Sequence, residues 1–143
     1  MASIERYTPG DPVVVKGLEG STQSGLFNAG DPVQFSAGYV VVATAGVMHG
    51  IARRDATGTQ TSTIEVELID PNALYSVRCS TGLTHAQTLV GTICDFQFTT
   101  PGAMVVEDGT TDLYIVALDP RDAAGTTNGR LLVRFKPTLM TAT

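Results

Sequence analysis

The stretch Asp112 to Lys136, DLYIVALDPRDAAGTTNGRLLVRFK, constrains this chain most. Leu113 to Leu118 is an unbroken apolar run, short enough for a strand buried on both faces. Arg130 to Lys136 alternates, with Leu131, Val133 and Phe135 on one face and Arg130, Arg134 and Lys136 on the other. That is the period of a half-buried strand. Leu132 interrupts the polar face, so it is predicted to be an exposed apolar residue and a candidate contact. The intervening PRDAAGTTNG is dense in residues that turn the chain or leave a ladder. The hairpin is predicted to be the centre of a sheet, for which the rest of the chain supplies partners.

Those partners are short and punctuated. Strands are predicted over Val13 to Lys16, Val33 to Phe35, Tyr39 to Ala43, Met48 to Ala52, Thr63 to Ile69, Leu74 to Cys79, Ile93 to Phe98 and Met104 to Glu107. Gly17 to Ala29 reads as a loop. Gly10-Asp11-Pro12-Val13 recurs as Gly30-Asp31-Pro32-Val33, a turn device used twice and not a repeat architecture. Arg78 is expected across from Glu65 or Glu67. Asp108-Gly109 is a hairpin signal into the central strands. Thr84 to Val90 is the one helical candidate, with Thr84 as N-cap and Gly91 past its end. The expectation is an all-β fold: a single-domain β-sandwich or small barrel, jelly-roll-like, with at most one short helix. Residues 1–9 are expected as an N-terminal arm that orders on a neighbour, 10–137 as the β domain and 138–143 as a C-terminal tail.

Composition narrows the function classes. The 143 residues suit one domain and include 20 Thr, 15 Val and 6 Ile, which favour pleated surfaces. Only 16% are charged, with 2 Lys and 5 Glu against 7 Arg. Scarce Lys and Glu with Arg retained is the bias of a protein–protein interface; a surface covered by Thr, Ser and Gly gives the same counts. The net charge of −5, with no basic run beyond Arg53-Arg54, argues against nucleic acid. No apolar run is long enough for a membrane span. MASIERYTPGD lacks the apolar core of a secretory signal, so folding in the cytoplasm is expected. Cys79 and Cys94 read as small buried hydrophobes, not a bridge.

No catalytic pattern emerges. His49 and His85 lack the clipped spacing of zinc ligands, and no G-x-S-x-G or phosphate-cradling glycine loop occurs. Asp108, Asp112, Asp119 and Asp122 do not follow a calcium-loop pattern. No enzyme, cofactor or metal is expected.

One echo is left over. Arg54-Asp55-Ala56-Thr57-Gly58-Thr59 and Arg121-Asp122-Ala123-Ala124-Gly125-Thr126 agree at five of six positions, 67 residues apart. Turn chemistry accounts for the aspartate and the glycine. A second reading is two equivalent loops at one rim, each presenting an arginine to a partner.

Together, GIARRDATGT, IEVELIDPNALYSVRC and LYIVALDPRDAAGTTNGRLLVRF resemble the head-decoration (cement, or auxiliary capsid) proteins of tailed bacteriophages, over about Gly30 to Phe135. The D-A-x-G-T loop and the closing N-G-R-L-L-V-R-F strand are the most specific parts. The resemblance implies a β-rich virion protein on the outer capsid surface, made in the host cytoplasm. Such a protein clamps neighbouring subunits of the major capsid protein, acts as a dimer or trimer and often uses a terminal arm. An acidic chain fits the outside of a shell better than the DNA-facing inside. Candidate contacts are Ile4, Arg6 and Tyr7 in the arm, Arg53, Arg54 and Arg121 in the loops, and Leu132. The rival readings are a β-sandwich carbohydrate- or receptor-binding module, or another virion part such as a head-fibre or tail subunit.

Overall fold

The computed structural model describes residues 3–20, 26–44, 46–98 and 101–141. The fold is all-β. Eleven strands are described: β1 (Ile4–Arg6), β2 (Val14–Leu18), β3 (Pro32–Ser36), β4 (Tyr39–Val42), β5 (Gly50–Ala52), β6 (Thr63–Leu68), β7 (Tyr75–Arg78), β8 (Ile93–Gln97), β9 (Val105–Glu107), β10 (Leu113–Leu118) and β11 (Arg130–Phe135). They form a six-stranded sheet ordered β1-β7-β11-β10-β8-β9 and a five-stranded sheet ordered β2-β6-β5-β3-β4, with antiparallel neighbours throughout. The hairpin β10–β11 lies at the middle of the larger sheet, where its apolar faces place it.

The second sheet repeats the first. Strands β2 to β6 and β7 to β11 follow one order, each strand matching the one five places later. The residue pairing matches as well. Phe35 faces Val40 as Phe96 faces Val106. Val33 faces Gly50 as Cys94 faces Leu113. Val15 faces Val66 as Tyr75 faces Val133. Each set also closes on itself by the same parallel bridge, Glu19 to Val40 and Cys79 to Val106. The following amides seal it: Gly20 N–H to Val40 O at 3.0 Å and Ser80 N–H to Val106 O at 2.8 Å. Strands β2 to β6 and β7 to β11 thus each curl into a nearly closed five-stranded lobe, with β1 added to the second, as a strongly twisted short-stranded sheet can.

Matched positions fill matched interiors. Val33, Val40, Ala52, Ile64 and Val66 pack with Phe27 in the first lobe. Cys94, Val106, Ile115, Leu131 and Val133 occupy the corresponding places in the second. Met48, Ile51, Ile69 and Ala73 join the second cluster from outside the first lobe, so the two lobes share a seam and make one domain. Gly17 stands where the second lobe has Val77, because a side chain there would run into Val40 Cγ2 at 2.7 Å.

Several local expectations are corrected. The segment expected as an arm supplies β1, which pairs with β7, and Ile4 is buried in the core. Three residues are too few to show a period. The expected tail supplies a one-turn helix, α1 (Thr138–Thr141), whose Leu139 is buried. Strand β10 is not buried on both faces: Leu113 and Ile115 face the core, while Tyr114 and Val116 are exposed because a curled sheet has one inner face. Leu132 is buried, not exposed, in a central strand between Ser76 of β7 and Ala117 of β10. Thr84 caps no helix; only a 3-10 turn, Gln87–Leu89, forms, without a side-chain cap. Asp108-Gly109 does not join paired strands, since β8 lies between β9 and β10. Arg78 lies across from Arg130, and Glu65 and Glu67 belong to the other sheet. Part of the expected loop 17–29 is strand, as β2 extends to Leu18. Both cysteines are buried and free.

Candidate functional site

The two R-D-A-x-G-T segments occupy the same link of the two lobes, between β5 and β6 and between β10 and β11. They share a backbone path. Gly58 and Gly125 have φ of 81° and 90°, and Thr61 and Asn128, also 67 residues apart, have φ of 71° and 55°. Ser62 N–H donates to Thr59 O at 3.2 Å, and Gly129 N–H to Thr126 O at 3.1 Å. The echo therefore marks a repeated loop, with glycine where the left-handed region demands it.

Each loop arginine holds a buried carboxylate of its own chain. Glu19 has no exposed surface. It accepts from Arg54 Nη1 at 2.8 Å, Thr57 N–H at 2.9 Å, Thr57 Oγ1 at 3.0 Å and Gly58 N–H at 2.6 Å. Burial pushes its carboxyl up, and the hydrogen bonds from Arg54, Thr57 and Gly58 more than reverse this, leaving it below its ordinary value. Asp119 is equally buried. It accepts from Arg121 Nε at 3.0 Å, Arg121 Nη2 at 2.6 Å and Ser76 Oγ at 2.7 Å. The Arg121 guanidinium holds it well below the usual carboxylate range, against the opposing effect of burial. Asp55 ties its loop to the one before β3, accepting from Ala29 N–H at 2.8 Å, whereas Asp122 closes its own loop, accepting from Arg130 N–H at 2.7 Å and Nε at 2.9 Å.

Arg121 then reaches across β7. Its Nη2 donates to Ser76 Oγ at 3.0 Å and its Nη1 to Glu5 at 3.1 Å. Glu5, Ser76, Leu132 and Ala117 form one cross-strand row through β1, β7, β11 and β10. The arginine spans from the Asp119 end of that row to Glu5. Leu132, opposite Ser76 in this row, is buried on the face expected to be polar.

The expected contact residues divide. Ile4, Arg6 and Arg53 come together, with Glu5, Ala29, Gly30, Ile51, Ala52 and Glu67, around an open groove of about 620 Å³ at the seam of the lobes. Arg6 there pairs with Asp70 at 3.6 Å, and Arg53 with Glu65 at 4.0 Å. Tyr7 is exposed, at 45%. Arg54 and Arg121 lie outside the groove, and Leu132 is covered. Sequence reasoning missed Glu19, which sits in an expected loop, and Asp119, which reads as an ordinary turn residue. The arginine two residues after Asp119 was the available signal.

Among the described residues no three His, Cys, Asp or Glu side chains gather as metal ligands. His49 Nδ1 accepts from Phe35 N–H at 2.9 Å. His85 is buried, with Nε2 2.9 Å from Arg130 O and no partner at Nδ1. No helix of the described residues is long and apolar enough to cross a membrane. No protein-family model, curated protein or solved structure matches the chain.

Proposed function

We propose that this protein is a structural virion protein: a decoration protein that binds the outer surface of an expanded phage head and clamps neighbouring major capsid subunits. The observation that carries this reading is the seam groove. It gathers Ile4, Arg6 and Arg53 in one open surface where apolar residues lie beside charges of both signs, which suits another protein's surface better than a small ligand, whose site would be enclosed. The resemblance of the twin-loop segments to decoration proteins supplies the partner. The buried ion pairs hold the loop of each lobe to its own strands. The proposed role is one of binding. A protein that binds only the assembled, expanded lattice stabilises it by RT ln(1 + [L]/Kd) at each site, and many modest sites add over a shell. We further propose that it acts as a trimer or dimer on the shell.

A carbohydrate-binding role is less well supported. Sugar faces stack on exposed aromatic rings. Tyr114 is exposed but carries the Lys136 ammonium 5.6 Å from its ring centroid, which leaves Tyr7 as the clearest candidate.

The test is co-sedimentation with empty heads. The protein should pellet with expanded heads and stay in solution with unexpanded ones. Charge reversal at Arg6 and Arg53 should weaken the binding. Equal pelleting with both head forms, or with neither, rejects the reading.

A further inference from the structure

The two lobes differ in one respect. In the second lobe, the edge of β7 that faces away from β11 is occupied: β1 lies antiparallel along it, with Ile4 opposite Val77, Glu5 opposite Ser76 and Arg6 opposite Tyr75. In the first lobe, β2 holds the matching place. It pairs with β6 on one side and touches β4 only beyond its end, through Glu19 and Gly20. Among the described residues, no strand lies along the rest of that edge.

Burial follows this difference. Strand β7 is buried at its first three residues, whereas β2 alternates between exposed and half-buried. Tyr75 has no exposed surface, while its counterpart Val15 is half-buried against the first-lobe core, as is Phe35. Val13 is 65% exposed, Val14 37% and Leu18 42%. The backbone has the same vacancy. Leu68 N–H donates to Val13 O at 2.8 Å and Glu19 N–H to Ser62 O at 2.8 Å. Antiparallel alternation therefore turns Val13, Val15, Gly17 and Glu19 toward β6, and the N–H and C=O groups of Val14, Lys16 and Leu18 outward. An open row of this kind is a template for another strand.

We infer that the β2 edge binds an extended segment of a partner protein by strand addition, antiparallel, in the register β1 uses on β7. The matched positions define its chemistry. The residue opposite Gly17 faces inward, as Ile4 does, and is apolar, because it covers Val15 and Phe35 where glycine offers no side chain. The residue opposite Lys16 faces outward, as Glu5 does, and is acidic, because Lys16 is the cation directly across the strand gap. Main-chain hydrogen bonds supply the affinity and these two side chains the selection. A second copy of this chain is a poorer occupant, since a two-fold pairing of β2 with β2 centred on Lys16 sets like charges face to face. The inference does not depend on the capsid reading, and its test uses no capsid.

The probe is a synthetic peptide of residues 3–8, Ser-Ile-Glu-Arg-Tyr-Thr, which has the required apolar–acidic pair. Titrated into the full chain, it should bind saturably and slow amide exchange at Val14 and Lys16. Lys16→Glu should weaken it by about threefold to tenfold, and a peptide with lysine in place of its glutamate should regain the loss. Lys16→Pro should abolish binding while leaving the melting temperature nearly unchanged, because that N–H serves no β6 bond and edge strands tolerate proline. If that variant fails to fold, the charge-reversal pair and the exchange data decide alone. The inference is overturned if the peptide does not bind, if binding ignores Lys16→Glu, or if protection appears at β7 instead. Dimerisation that protects Val14 and Lys16 without peptide overturns the partner-strand assignment.

Discussion

Glu19 shows how a buried charge is kept in a β protein. It sits where β2 bridges β4, with no exposed surface and hydrogen bonds to Arg54, Thr57 and Gly58. Arg54→Ala leaves that carboxylate without its cation. We expect a loss of about 1–3 kcal/mol, below the cost of breaking a fully buried pair because the arginine is partly exposed. Arg53→Ala breaks a pair 4.0 Å apart whose side chains are both about half exposed, and should change stability by no more than about 0.5 kcal/mol. Urea unfolding of the two variants side by side checks the contrast. Acid should act on the same groups. Glu19, Asp95, Asp119 and Asp122 have carboxyls lowered in the fold. Each contributes stability that is fully present above its unfolded pKa of about 4 and is lost as pH falls through the folded value. Asp112 is raised by burial and works the other way, so its penalty is relieved on acidification. Four against one, the melting temperature should fall progressively below pH about 4. At this scale the echo of Arg54 and Arg121 was legible in the sequence, but its use was not. A six-residue match cannot say that Arg54 faces a carboxylate of its own chain, because Glu19 is 35 residues away.

Among elements, β1 is the one most easily misread. It is three residues long and ends at a Pro-Gly turn, the pattern of a loose arm. The chain nevertheless places Ile4 in the core, bonds Tyr7 N–H to Leu74 O at 2.8 Å and fixes Glu5 through Arg121. Removing Ser3 to Thr8 should therefore lower the melting temperature and expose the edge of β7. Ile4→Ala alone should cost about 2–4 kcal/mol. A truncated protein that melts with the parent would return this segment to the status of an arm. Strands with clean alternation were legible: Thr63–Leu68 and Arg130–Phe135 form as their periods require. The two terminal segments were not: Ile4–Arg6 and Thr138–Thr141 are too short to repeat a pattern and owe their form to neighbours.

For the whole molecule, the organising fact is the pair of matched lobes. Strand order comes from long-range pairing, which turn spacing does not encode, so the all-β class was readable while the duplication was not. Matched positions such as Val15 and Tyr75, or Ala52 and Ile115, keep an inward apolar side chain and little else, which leaves sequence similarity too thin to see outside the twin loops. Two lobes joined by a shared seam, one with its edge filled by β1 and one whose edge carries no strand among the described residues, give a body with distinct faces. That is a suitable shape for a clamp between subunits. We propose that such a clamp stabilises an assembled shell by mass action. This stabilisation is tested most directly by the thermal disruption of expanded empty heads, followed by light scattering, over a series of free protein concentrations. The disruption temperature should rise with concentration, continue to creep upward beyond saturation of the sites, and not move for unexpanded heads. A disruption temperature that stays constant while the protein is visibly bound would contradict it.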